Sequence, residues 1–275
     1  MTEPNELTDN RLVQTFAEHR QADRRALLPF LTACYPDAET TVALLREIES
    51  RGARICELGI PFSDPIADGP TIQASYTEAL ASGVRTPQVL QAVRDYRAAG
   101  GWMAMLAMVS YSIVYRHHVG EYLDELRAAG FDATIIPDLS LEEAAEFEAR
   151  ARSAGLANVT LISPTTPPRR RRDIAAHATG FIYYMSIAGI TGERTELPAS
   201  TIDGVAELRN HTDTPICVGF GISNAEMVRA VVEVADGAIV GSAIVRRIAE
   251  HADQPRQKLV ADVGAFVGEL LAPVT

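Results

Sequence analysis

The sequence predicts a single (β/α)8 TIM barrel with an extra N-terminal helix, occupying residues 1–275 as one domain. Three observations carry this reading. Eight short apolar runs alternate with segments whose apolar residues recur at helical spacing, which is the signature of βα units. The runs are apolar throughout instead of alternating with polar residues, as expected of parallel strands covered on both faces. The length, 275 residues, matches the roughly 250 residues typical of an eightfold barrel. A doubly wound open sheet is the alternative, but no GxGxxG follows the first strand.

Each element has its own signal. Residues 8–24 set Leu12, Val13 and Phe16 on one side of a helix. ALLPFLTACYP (26–36) is a strand stopped by Pro36, and Asp37 is placed to cap the next helix. In that helix Val42, Leu44, Leu45 and Ile48 recur at helical spacing, and Gly52 ends it. A second strand begins at Arg54, followed by helices over 71–81 and 86–99. Further strands are expected over 102–109, 131–137, 158–162, 181–186, 216–220 and 238–240. The intervening helices are 119–129, 141–154, 169–178, 202–210 and 224–234, and helical sequence runs on to Leu271. Gly130 and Gly155 end the helices they follow.

Composition narrows the function. A net charge of −11 argues against a nucleic-acid surface. The basic run Arg169–Arg172 reads as a solvated helix start. No apolar stretch reaches the roughly 18 residues of a membrane span, and the acidic start MTEPNELTDNRL is not a signal peptide. Cys34, Cys56 and Cys217 lie in strand-like runs, as expected of reduced thiols in a cytoplasmic protein. Of 25 basic residues only Lys258, in the C-terminal tail, is a lysine, so Schiff-base chemistry has no candidate. The six histidines are scattered, which gives a metal site poor ligands.

In a barrel the chemistry is expected at the C-terminal ends of the strands. Glu57 is the residue that stands out, a carboxylate inside the apolar run of strand two. Burying it costs several kcal/mol unless it is hydrogen-bonded or kept neutral. Asp68 follows in a polar Pro/Gly-rich loop, where it is expected to stay ionised. Such a pair suits proton transfer, with Glu57 as acid/base and Asp68 stabilising a developing cation. Tyr183 lies on strand six. Strands seven and eight run through Gly219-Phe220-Gly221 and Gly241-Ser242 directly into helices, and Gly192 lies in the preceding long loop. Glycines at helix N-termini suit a phosphate group.

These residues fall within motifs that resemble the tryptophan synthase α subunit family. The resemblance rests on ELGIPFSDPIADGPTIQAS at strand two, and extends to PFLTACYPD, IIPDLSLEE, SPTTP, FIYYMSIAGITG, GFGIS and GSAIV. It implies retro-aldol cleavage of indole-3-glycerol phosphate to indole and glyceraldehyde 3-phosphate, with no cofactor and no metal. It implies that Glu57 protonates indole C3, Asp68 binds the indole N–H, and Tyr183 stands near the glutamate. It further implies that Thr191 lies in a closing loop, that Gly192, Gly221, Gly241 and Ser242 grip phosphate, and that Phe30 and Phe220 wall the indole pocket. It implies a tryptophan synthase β subunit as partner, a free-standing homologue that releases indole alone being the alternative.

The chain departs from the family pattern after strand three. There MVSYSIVYRHH places Ser110 and Ser112 where a tyrosine and an asparagine are usual, so both serines are expected in the pocket wall. Cys34-Tyr35 and Ser140 alter the partner-facing surface, while PFSDP is intact. The departures leave open a lyase acting on another phosphorylated substrate, or a catalytically silent binding subunit.

Overall fold

The strands are apolar on both faces because one face fills the barrel interior and the other is covered by helices. The computed structural model describes residues 7–66, 68–186 and 198–274. Among them, eight parallel strands pair in chain order: β1 (Ala26–Thr32), β2 (Ile55–Gly59), β3 (Ala104–Met108), β4 (Ala133–Ile135), β5 (Ala157–Ile162), β6 (Ile182–Met185), β7 (Ile216–Gly219) and β8 (Gly237–Val240). The barrel closes where Ala26 to Pro29 of β1 pair with Gly237 to Val240 of β8. Every residue of β1, β2 and β3 is buried, between the inner layers of side chains and the outer ring of helices.

The helical ring follows the expected caps. α1 (Arg11–Gln21) is the extra N-terminal helix, capped by Asn10, whose side chain accepts from the Leu12 N–H. Asp37 caps α2 (Ala38–Ser50), accepting from the Thr40 N–H at 2.7 Å. α3 (Pro70–Ala81) begins with proline at its first position, where the missing N–H has no helical partner to lose. α4 (Thr86–Ala98) follows directly.

The next element departs from expectation. A short helix, α5 (Tyr111–Arg116), precedes α6 (Val119–Ala129) where a loop was expected. Ser110 starts it, with its Oγ accepting the Ser112 N–H and donating to Asp138 at 2.6 Å. A serine that caps a turn is a local signal that hydrophobic periodicity over six residues is too short to show.

The remaining helices are α7 (Ala144–Ser153), α8 (Pro168–Ala175), α9 (Ala199–Arg209), α10 (Ala225–Val232), α11 (Ser242–Glu250) and α12 (Arg256–Leu271). The C-terminal helical tail is therefore two helices, divided just before Arg256 by Pro255, and α12 packs against α2. The basic run is tied down at the surface: Arg170 forks onto Glu142, and Arg171 and Arg172 meet Glu207. Cys34, Cys56 and Cys217 are buried free thiols.

One polar cluster is built on a fully buried carboxylate. Asp132, immediately before β4, accepts from Arg11 (2.9 Å), Arg97 (2.9 Å) and Arg127 (3.3 Å), and from the Met105 N–H. Its carbonyl takes the Asn10 side chain at 2.6 Å. This single carboxylate joins α1, α4 and α6 to strands β3 and β4, and its charge is compensated by three guanidinium groups.

Candidate active site

β2 places Glu57 against the pocket. It stands beside Phe30 of β1 and Leu106 of β3 in parallel register, in a wall that is otherwise apolar. The residue is 1% exposed, and its Oε1 has no hydrogen-bond partner among the described residues. Burial alone drives its carboxyl well above the ordinary range for glutamate. Its surroundings therefore favour the protonated form, which has a proton to give away.

Asp68 is brought to the same cavity by the bend after β2. The loop is held from α3: Gln73 Nε2 donates to the carbonyls of Asp68 (2.8 Å) and Pro65 (3.3 Å). From sequence, Asp68 is expected in a polar loop. Instead it is 9% exposed, because the loop folds over the barrel mouth, and burial raises its carboxyl from 3.8 to about 6. Asp68 is still largely ionised at neutral pH, so one cavity holds an ionised carboxyl beside one whose burial favours the protonated form.

Both lie in the wall of a cavity of about 120 Å³ at the C-terminal end of the barrel. Phe30, Met108, Tyr183, Phe220 and Ile239 supply its apolar surface, and Gly221, Ser223, Gly241 and Ser242 its polar end. The rings of Tyr183 and Phe220 meet edge to face at 5.8 Å. Burial pushes the Tyr183 phenol well up, and the nearby carboxyls of Glu57 and Asp68 push it the same way. A Cβ at Gly219 would collide with the Tyr183 ring, so glycine there is what admits the tyrosine.

The polar end is shaped by backbone. Phe220 and Gly221 are both left-handed (φ 74° and 79°), a conformation that glycine adopts freely and phenylalanine rarely. The turn is braced by Ser186, whose Oγ–H donates to the Phe220 carbonyl and whose N–H donates to the Gly219 carbonyl. The Ser186 carbonyl in turn accepts from buried Thr201. Gly241 precedes Ser242, the first residue of α11, so the unpaired N–H groups of that helix begin at the cavity wall.

Of the residues singled out from sequence, Phe30, Glu57, Asp68, Tyr183, Phe220, Gly221, Gly241 and Ser242 share this cavity. Thr191 and Gly192 lie outside the described residues. Ser110 lines a neighbouring cavity of about 30 Å³, which shares Asp68 and Met108 with the first. Ser112 is set apart: it is exposed on the first turn of α5 and borders neither cavity, because helix formation turns it outward. The pocket-wall reading does not extend to it. Gln73, Ser186, Thr201 and Arg246 went unnoticed in the sequence. Arg246 had a readable signal, standing four residues after Ser242 in a helix.

The chain matches the family described as tryptophan synthase alpha chain over residues 16–272. It is 44% identical to the tryptophan synthase alpha chain of Rhodopirellula baltica over 247 residues, covering 89% of each chain. It is 43% identical to that of Chloroflexus aggregans, covering 96% of this chain and 97% of the relative. Among solved structures, tryptophan synthase subunit alpha from Legionella pneumophila superposes with a TM-score of 0.87 at 32% identity, covering 96% and 98% of the two chains. A chain of the aminoacrylate-bound tryptophan synthase from M. tuberculosis gives 0.85 at 31%, covering 97% and 100%.

Proposed function

The chain belongs to the tryptophan synthase alpha chain family, and from that premise we infer that it cleaves indole-3-glycerol phosphate to indole and glyceraldehyde 3-phosphate, a carbon–carbon lyase step of tryptophan biosynthesis. The observation that carries the mechanism is Glu57: a buried carboxyl whose burial favours the protonated form, with one oxygen unpartnered among the described residues, in a cavity whose other end is the Gly221 and Gly241-Ser242 rim.

The reaction needs a proton on indole C3 and the loss of a proton from the adjacent side-chain hydroxyl. Glu57, starting neutral, gives its proton to C3. The ring becomes an indolenine-like cation with its N–H toward ionised Asp68, whose charge offsets it. Glu57, now a carboxylate, takes the hydroxyl proton. The C–O bond becomes the aldehyde, the C3–carbon bond breaks, and its electron pair returns to the ring. Indole leaves with the proton from Glu57, and Glu57 has regained one from the substrate. Tyr183 and Phe220 pack the ring plane, while the backbone at Gly221, Gly241 and Ser242 anchors the phosphate. Thr191 and Gly192 complete this reading from the segment outside the described residues.

A tryptophan synthase β subunit is the partner this reading names. Two large apolar side chains stand out at the same end of the barrel, Ile66 (81% exposed) and Tyr115 (72%), and Ile66 borders the smaller cavity together with Asp64 of the PFSDP segment. The test is to supply indole-3-glycerol phosphate to the purified chain and measure indole, with and without β subunit. Indole release that rises on adding β subunit is expected; no indole in either arm overturns the assignment.

A further inference from the structure

The catalytic cavity contains two carboxyls and, among the described residues lining it, one cationic side chain, Arg246. Arg246 stands one helical turn after Ser242 on α11, and residues four apart share a helix face. The guanidinium is therefore carried on the same face as the Ser242 end of the cavity, at its solvent mouth, where Arg246 is exposed. That Glu57, at the closed end, presents an unpartnered buried oxygen marks the cavity as built for a ligand rather than closed by packing.

A phosphomonoester brings close to two negative charges into this space. The helix N-terminus contributes only a partial positive charge, and Asp68 adds repulsion when ionised. A guanidinium is a fixed positive charge whose N–H groups match two phosphate oxygens. We propose that Arg246 is the cationic contact of the substrate's phosphate, a specificity residue that sets affinity for the phosphorylated substrate without taking part in bond cleavage. The proposal rests on the functional reading above. It assigns the phosphate two kinds of contact: backbone N–H groups that fix its position, and one side chain that supplies charge.

The consequence is a split between binding and turnover. Wild type, Arg246→Gln and Arg246→Lys are assayed for indole release over a range of indole-3-glycerol phosphate concentrations. Binding of glycerol 3-phosphate to each is measured by calorimetry at low and high salt. Arg246→Gln should raise KM and the glycerol 3-phosphate Kd by about tenfold, with kcat within about twofold of wild type. Arg246→Lys should fall between the two, and the salt dependence of Kd should be flatter in the glutamine variant than in wild type. Equal KM and Kd in wild type and Arg246→Gln would overturn the proposal, as would a fall in kcat at unchanged KM. A wild-type protein that releases indole while Arg246→Gln is indistinguishable from it refutes the role of Arg246 alone. A wild-type protein that releases no indole and does not bind glycerol 3-phosphate refutes the functional reading as well.

Discussion

Two carboxyls, Glu57 and Asp68, do opposite work because their surroundings differ by degree of burial. Among the described residues Glu57 has no polar partner on one oxygen, and burial favours its protonated form, so it is the proton carrier. Glu57→Gln keeps the shape and hydrogen-bonding capacity of the residue but has no proton to exchange at working pH. We expect kcat to fall about 10³-fold with the glycerol 3-phosphate Kd little changed, read by indole release and calorimetry. Near-normal turnover would contradict the role. Asp68 makes a prediction about stability. Its carboxyl sits near 3.8 in the unfolded chain and about 6 in the folded protein, so the folded state binds the proton more tightly. The cost of the buried charge therefore accrues as pH rises from about 4 to about 6, is complete above about 6, and is absent below about 4. Asp68→Asn should raise stability at pH 7.5 by up to roughly 3 kcal/mol while impairing turnover. The gain should vanish at pH 4, and thermal unfolding at the two pH values is the check. An equal gain at both would show that the carboxylate's charge is not its cause.

At the scale of the element, the strand-to-helix junctions decide the site. β7 ends at Gly219, whose bare Cα gives the Tyr183 ring its place. Gly219→Ala should force that ring aside, lowering turnover at least about tenfold and costing roughly 1–3 kcal/mol of stability by overpacking. Indole release and urea unfolding would show both, and an unaffected kcat would argue against a working role for Tyr183. Much of this was legible in sequence, for a physical reason. Apolar runs ending in glycine and passing straight into helices leave few options other than βα turns. The misses have equally local causes. α5 is six residues long, below the window in which helical periodicity registers, and it begins at a serine cap. Its formation is what turns Ser112 away from the pocket. The burial of Asp68 could not be read because ADGP looks like any exposed turn, and the side chain that holds its loop, Gln73, lies on the following helix. Ser186 and Thr201 act through a backbone carbonyl that residue types alone do not reveal.

The whole molecule is tied together by Asp132 as well as by the closed sheet. One buried carboxylate receives three arginines from three helices, and its loss would leave Arg97, itself largely buried, without its counter-charge. Asp132→Ala should cost about 3–5 kcal/mol, measured as a lower urea midpoint. A loss under 1 kcal/mol would mean that the cluster contributes little beyond its hydrogen bonds. Asp132 precedes β4, at the rim where strands begin, whereas Gly221, Gly241 and Ser242 follow the ends of β7 and β8. The barrel thus keeps its fastening and its chemistry at opposite ends. A lineage or an engineer can strengthen the lower rim, through α1, Asn10 and the arginines around Asp132, and lengthen the protein's working life without revisiting the upper rim, where affinity and rate are set. Longevity and catalysis in this chain are separately adjustable traits.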